Sequence, residues 1–401
     1  MSERLQCISC ARTFATSEVR YTCDCGGLLS VERDAMPADT KTFDTRRGGR
    51  NPMDQSGVWR FREAVMDVAP DAIVTHPEGG TRLYEREGIL FKHEGENPTG
   101  SFKDRGMTVA MTQAVRVGAT AVACASTGNT SASLAAYAAQ AGLRAIVFIP
   151  SGKVATGKLA QTLAYGALCL QVRGDFDAAM QLVRDAADRL GIYLVNSINP
   201  FRIEGQKTIV WELLQDLEWQ APDWIVVPAG NLGNTSAFGK ALREAHAAGW
   251  IATLPRIASI QASGANPFYR GFTGAFAERH RMSAETIASA IRIGDPVSWE
   301  KAVAAIRDTS GVVEQVTDDE LLAAKRTIDG WGIGCEPASA TTLAGVRKLR
   351  AAGVMREGER VVCVLTGHIL KDPDAIMKTA GDRIVEIEPT LAAVERAIIT
   401  P

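Results

Sequence analysis

The residue with the most telling chemistry is Lys103, in the middle of NPTGSFKDRG (Asn97–Gly106). Gly100 supplies a turn, Ser101 or Thr99 is placed to cap a helix, and the lysine then falls in that helix's first turn, where the dipole disfavours a cation. A disfavoured ammonium gives up its proton early and leaves a nucleophilic amine, as Schiff-base chemistry requires. The competing reading is a solvated surface lysine. Three more stretches offer groups to anions. GNLGN (Gly230, Asn231, Leu232, Gly233, Asn234) follows an apolar run and opens a helix. Its backbone N–H groups and the helix end suit a phosphate, or else form only a tight turn. It has neither the GK[ST] ending of a Walker loop nor the GxGxxG spacing of a dinucleotide site. STGNTSAS (Ser126–Ser133) is a second donor-rich helix start, presenting Ser126, Thr127, Asn129 and Thr130 to a carboxylate. Ordinary helix capping would use only one of them. In NSINPFRIEGQK, Arg202 lies near Asn196 and Ser197, a combination suited to a second anion; an exposed arginine is the alternative.

The N-terminal segment carries Cys7, Cys10, Cys23 and Cys25, a CxxC followed twelve residues later by CDCGG. Paired thiolates on two turns are the usual way to present four sulfurs to Zn²⁺, so the segment resembles a zinc ribbon. The second pair is CxC, which strains simultaneous ligation, and a small reduced appendage packed on the body is the alternative. Cys124, Cys169 and Cys363 lie in apolar, strand-like runs and suggest no disulfide framework.

The elements that must hold these groups alternate regularly. Apolar runs at 121–125, 145–149, 167–172, 193–195, 224–227, 257–260 and 361–365 are separated by helical patterns. One of these starts at Phe176, with Ala179, Met180, Val183, Ala187 and Leu190 on the same face. Strand–helix alternation means βαβ units and parallel sheets. Several runs end in loops rich in Gly, Asn, Ser and Thr, and ligands bind at the carboxyl ends of strands in such sheets. A helix is expected over 107–117, stopped by Gly118, and an amphipathic helix through Leu217. Residues 35–51 read as a polar linker or extended arm.

With 401 residues, 46% of them hydrophobic, the chain can bury a large core, and its length suggests two or three domains. A net charge of −2 gives no footprint for nucleic acid or an anionic membrane. No apolar run reaches the ~18 residues of a membrane span, and the start MSERLQC has no signal-peptide hydrophobic region, so a cytoplasmic protein is expected.

NPTGSFKDRG, STGNTSAS, PAGNLGNTSA, CEPASA (Cys335–Ala340) and LTGHILKDPD, in this order, resemble threonine synthase, a pyridoxal 5′-phosphate family of fold type II. The likeness runs from Gly79 to Asp374. The lysine loop and GNLGN are shared with serine and threonine dehydratases, whereas LTGHILKDPD, NSINPFRIEGQK and the cysteine-bearing start are closer to threonine synthase. The resemblance implies two doubly wound α/β domains with the cofactor in the cleft, plus the small N-terminal segment. The expected division is residues 1–35, a large domain of 36–117 and 201–401, and a small domain of 118–200. It also implies that Lys103 forms the Schiff base and shuttles protons, that Asn129 meets the cofactor's phenolic oxygen, that Gly230–Asn234 holds its phosphate, and that Thr366 faces the pyridine nitrogen. A hydroxyl there would leave that nitrogen largely unprotonated. Thr130, Asn196, Ser197 and Arg202, with the Ser126–Thr127 loop, would bind the substrate, and Lys153 and Lys158 are further candidates for its phosphate. The implied reaction converts O-phospho-L-homoserine and water to L-threonine and phosphate in a homodimer. Ile369, where the family commonly has glycine, and Trp331–Gly334 depart from the pattern. The alternatives are a threonine or serine dehydratase, a cysteate synthase, or a catalytically silent scaffold.

Overall fold

The computed structural model describes residues 3–36, 38–126, 128–151, 156–173, 176–380 and 384–399. Three sheets organise it. Strands β1 (Glu3–Cys7), β2 (Thr13–Ala15) and β3 (Leu29–Arg33) form a small antiparallel sheet in the order β2-β1-β3. The main sheet uses β4 (Leu83–Arg86) and β5 (Ile89–His93). The chain then builds a four-stranded parallel sheet from β6 (Ala121–Ala125), β7 (Arg144–Pro150), β8 (Leu168–Val172) and β9 (Tyr193–Leu194), ordered β8-β7-β6-β9. It returns to the main sheet with β10 (Trp224–Pro228), β11 (Arg256–Ala262), β12 (Val312–Val316) and β13 (Val361–Leu365). The main order is β12-β11-β10-β13-β5-β4, parallel except for β4.

The central strands are apolar throughout because both faces are covered. Ile225 and Val227, with Val362 and Val364, point into one core; Trp224, Val226, Val361, Cys363 and Leu365 point into the other. This is the period-two alternation of a strand buried on both sides. Fully burying each such aliphatic side chain is worth about 1.5–3 kcal/mol. The smaller sheet is sandwiched likewise. Met107, Ala110, Met111 and Ala114 of the helix Lys103–Arg116 pack on one face with Leu134 of the helix Asn129–Ala141, and Val183 and Ala187 pack on the other. Lys103 therefore stands where the chain leaves the main sheet and its helix turns onto the smaller one.

Three expectations are corrected, and one strand is added. The helix expected from Met107 begins at Lys103 and ends at Arg116. Residues 35–51 are no simple arm. Asp39 caps a helix, Thr40–Arg47, whose Phe43 is buried against Phe61 and Trp250. The helix through Leu217 is two helices, Pro200–Gln206 and Thr208–Asp216, joined at Lys207. The strand β12 has no counterpart in the sequence reading, because its half-buried Val312, Glu314 and Gln315 blur the apolar signal at the sheet edge.

The cysteine-bearing sheet is docked through buried charge. Glu204 accepts from Arg33 at 2.6 Å, Lys207 at 2.7 Å and Lys240 at 2.5 Å, and Lys301 donates to the Leu29 carbonyl at 2.5 Å. Those three cations hold the Glu204 carboxyl below the usual range against the burial that opposes it. Such a cluster costs desolvation, and removing one partner is expensive.

Candidate active site

Position 103 is fixed by what lies beneath its loop. Arg105, fully buried, reaches Glu94 through two bonds of 2.7 Å and Glu212 at 2.8 Å. Lys92 also pairs with Glu212 at 2.7 Å, and Asn97 donates to Glu94 at 2.8 Å. The loop is tied laterally to the end of β13: Phe102 N donates to Thr366 O at 3.0 Å, His368 N to Gly100 O at 2.9 Å, and Ser101 bridges Gly367. Neither expected cap acts as one. Thr99 gives its N–H and hydroxyl to Asp104, and Phe102 stands at the cap position with no side-chain cap. Ser101 Oγ only reaches Lys103 N at 3.4 Å.

The amine of Lys103 lies 4.1 Å from the centroid of the Phe102 ring. Burial and the nearby Arg202 guanidinium lower it to about 7, with Glu336 acting in the other direction. Arg202 is itself buried, Nη1 donates to Val195 O at 3.2 Å, and Nε has no partner. Burial pushes the guanidinium down to about 10. No carboxylate among the described residues pairs with it.

Two other helix starts converge here. The helix Asn129–Ala141 follows Gly128 without a side-chain cap, so capping does not account for its donor-rich loop. The helix Gly233–Ala247 follows Leu232, buried and at φ +63°, also without a side-chain cap. A left-handed residue there turns successive backbone N–H groups toward one side, the geometry of an anion nest. Gly230 packs tightly, since a Cβ would lie 2.8 Å from Ile291 Cα. Asn234 Oδ1 is buried without a partner. Asn231 donates to Ser197 Oγ at 2.6 Å and accepts from Val297 N at 2.7 Å. Asn196 exchanges two bonds with the Ala125 backbone, at 3.0 and 3.2 Å, so its amide clips the end of β6. Ser126 Oγ accepts from Gly128 N at 3.4 Å, and Thr130 is half-buried beside Asn129. Thr127 and Lys153 lie outside the described residues, as does the side chain of Lys158.

One group is absent from the sequence reading. Glu336, buried within CEPASA, accepts from Asn129 Nδ2 at 2.9 Å and from Thr366 Oγ1 at 3.0 Å. Burial pushes its carboxyl up, against Asn129, Thr366, Lys371 and Lys103. The available signal was a lone acid in an otherwise small, apolar motif. The two departures from pattern also meet: Ile369 covers Gly334, at φ +70°, with its Cδ1 3.1 Å from where a Cβ would stand.

In the N-terminal sheet the four thiols come together. The sulfurs of Cys7, Cys10, Cys23 and Cys25 all lie within 4.8 Å of one another, with three separations of 3.5–3.6 Å. The strain expected of CxC is relieved by Gly26 at φ +82° and by Gly27, where a Cβ would stand 2.6 Å from Cys7 Sγ.

The chain was compared with known proteins. Residues 71–367 match the family model described as pyridoxal-phosphate dependent enzyme. The chain is 46% identical to threonine synthase of Methanocaldococcus jannaschii over 98% of both chains, and 45% identical to that of Methanosarcina acetivorans over the same shares. Among solved structures, threonine synthase from Escherichia coli superposes with a TM-score of 0.74 at 18% identity, covering 98% of this chain and 94% of that one. The processed form of threonine deaminase isoform 2 from Solanum lycopersicum gives 0.65 at 18% identity, over 89% and 97%. The two solved structures establish the fold, fold type II, and the near end-to-end identity goes further: the chain belongs to the threonine synthase family of pyridoxal-phosphate dependent enzymes.

Proposed function

We propose that this enzyme converts O-phospho-L-homoserine and water to L-threonine and phosphate, using pyridoxal phosphate held at Lys103. The observation that carries the reading is the pairing of an amine lowered to about 7 with a buried arginine that has no carboxylate partner among the described residues. A cation left uncompensated in a buried cleft favours a strongly anionic ligand. The donor set also fits the cofactor: an uncapped helix end after a left-handed Leu232 for a phosphate, and the Asn129 and Thr366 side chains on one buried carboxylate. In this reading Gly230, Asn231, Leu232, Gly233 and Asn234 hold the cofactor phosphate, Asn129 its phenolic oxygen and Thr366 its ring nitrogen.

The bound cofactor supplies an electron sink for charge developing at the substrate's Cα. Lys103 Nζ, about half of it neutral at pH 7, takes the Cα proton and returns protons along the chain of the substrate. Arg202 neutralises the departing phosphate, with Ser197 and Thr130 supplying hydroxyl donors and Asn196 fixing the end of β6 behind them. The uncapped helix start at Ser126–Asn129 takes the substrate carboxylate. Two anionic groups bound at opposite ends orient Cα and Cβ before reaction. In this reading residues 118–200, which carry the smaller sheet, form the domain that closes over the substrate.

The deciding assay supplies O-phospho-L-homoserine and measures both phosphate and L-threonine. Release from O-phosphoserine, or 2-oxobutyrate from free threonine with no reaction of either phosphoester, would overturn the assignment in favour of a cysteate synthase or a dehydratase. Lys103→Ala should abolish the visible band of the bound cofactor.

The four clustered cysteines suit Zn²⁺, because a tetrahedral site with Zn–S near 2.3 Å places sulfurs roughly 3.8 Å apart. Metal analysis should find one zinc per chain, lost in Cys23→Ser. A homodimer follows from the resemblance and is checked by sedimentation. No helix among the described residues is long and apolar enough to cross a membrane, which is consistent with action in the cytoplasm.

A further inference from the structure

Strand β9 lies at the edge of the smaller sheet, paired with β6. Val195 N turns inward to Ala123 O at 2.9 Å, so Leu194 N, one residue earlier, points out of the sheet from a buried position. An N–H buried there without an acceptor is costly. Its acceptor is Tyr21 Oη at 2.6 Å, 173 residues away in the chain. The Tyr21 ring also meets the Tyr193 ring edge-on, with centroids 5.9 Å apart. Tyr21 belongs to the stretch between Cys10 and Cys23, whose two ends are drawn together in the thiol cluster, 3.6 Å sulfur to sulfur. The same stretch holds the helix Lys103–Arg116, since Thr16 O accepts from Gln113 Nε2 at 2.7 Å. Beside Tyr21 runs a cleft of about 700 Å³, lined by Glu18 and Arg20 of this stretch and by Ala119, Ala187 and Gly191 of the body. Across that gap the stretch grips β9 through Tyr21.

The residues that follow Leu194 are the ones assigned to the substrate. Val195 O takes Arg202 Nη1 at 3.2 Å, Asn196 clips the Ala125 backbone, and Ser197 Oγ takes Asn231 Nδ2 at 2.6 Å. We infer that Tyr21 is a positioning residue for the substrate's phosphate: its hydroxyl fixes the end of β9, and so the aim of Arg202 and Ser197, making the cysteine-bearing segment a determinant of substrate affinity as well as of the fold. The inference rests on the reading above that Arg202 and Ser197 receive that phosphate. Without the hydroxyl, Leu194 N must turn toward the cleft to find water, and the strand end moves with it. The effect falls on the phosphate end of the site, because Lys103 is fixed from below by Arg105 and Glu94 rather than by β9.

The experiment uses the full-length enzyme loaded with pyridoxal phosphate, unmodified and as Tyr21→Phe, which keeps the ring against Tyr193 and removes only the acceptor. Three quantities are measured: KM and kcat with O-phospho-L-homoserine, the affinity for inorganic phosphate by titration calorimetry, and hydrogen exchange of the peptide containing Leu194 by mass spectrometry. In Tyr21→Phe the KM and the Kd for phosphate should each rise about tenfold, the scale on which a lost buried hydrogen bond is felt, while kcat changes less than about twofold. The visible band of bound cofactor should persist, and the Leu194 peptide should exchange at least about tenfold faster. A KM and a phosphate Kd both within about twofold of the unmodified enzyme overturn the inference. So does unchanged exchange at Leu194, or a loss of cofactor affinity as large as the loss of phosphate affinity, which marks a general loosening. Arg202→Leu is measured alongside. If the unmodified enzyme does not bind phosphate, or Arg202→Leu leaves its Kd unchanged, the underlying placement of the phosphate fails. If Arg202→Leu raises the Kd and Tyr21→Phe does not, only the role of Tyr21 fails.

Discussion

Replacing Lys103 with methionine should make the cofactor-free protein more stable at neutral pH, and the gain should fade as pH rises. The folded amine is lowered from 10.5 to about 7. Between those values the unfolded chain keeps a proton that the folded chain gives up, so the unmodified protein gains stability with rising pH over that window. At 1.36 kcal/mol per tenfold change in proton affinity, the penalty is about 4 kcal/mol at pH 7.5 and under ~1 kcal/mol at pH 10. Lys103 is only half-buried, and solvent reaching the amine reduces these to roughly half. Methionine is one heavy atom shorter than lysine and keeps a sulfur–ring contact with Phe102 in place of the cation, an exchange worth under ~1 kcal/mol. Urea unfolding of both cofactor-free proteins at pH 7.5 and pH 10 isolates the effect, since groups away from the site titrate equally in the two. The variant should be more stable by about 2 kcal/mol at pH 7.5 and by almost nothing at pH 10. An equal gain at both pH values, or a less stable variant at pH 7.5, would refute the argument that the site holds its lysine against the preference of the fold.

Arg202→Leu should raise the KM for O-phospho-L-homoserine at least 100-fold, about 3 kcal/mol of lost charge-assisted binding, while the absorption band of bound cofactor persists. Because Arg202 depresses the Lys103 amine, the same change should move the Lys103 titration upward, measured as the pH dependence of cofactor capture. Gly205→Ala places a methyl against the Arg105 carbonyl, where the helices Pro200–Gln206 and Lys103–Arg116 touch backbone to backbone. The expected result is insoluble protein or a loss above ~3 kcal/mol in urea unfolding. Gly334→Ala strains φ +70° and crowds Ile369, so it should cost about 1–2 kcal/mol, and adding Ile369→Gly should restore only the crowding part.

Lys103 was legible in the sequence because turn, helix start and donor-rich loops are local signals. The alternation of apolar runs pointed to the parallel strands of both larger sheets for the same reason, though not to the antiparallel β4. What stayed hidden depends on distance. Asp104 has no local signal of burial, which comes from Thr99 and Ser133 closing around it. Glu336 has no partner within its own motif; Asn129 and Thr366 arrive from 207 and 30 residues away. Asn196 reads as a ligand group, yet its amide is spent on Ala125, a contact made when β9 pairs with β6. The CxC pair looked strained because spacing alone does not reveal the left-handed Gly26 that turns it. The helix Thr40–Arg47 was hidden by its charges: Arg46 and Arg47 advertise a solvated arm but pair with Glu63 and Asp216.

The docking of the cysteine-bearing sheet has a consequence for the order in which the chain matures. Leu29 is held by Lys301, 272 residues later, and Arg33 by Glu204, 171 residues later. At about 5–20 residues per second, a ribosome takes roughly 15–50 s to supply that last lysine. For that interval four closely spaced thiols have no body to rest against. A metal bound early would keep them from oxidising and hand the finished chain a pre-shaped docking face, whereas a sheet left bare would begin its life as the part most easily damaged.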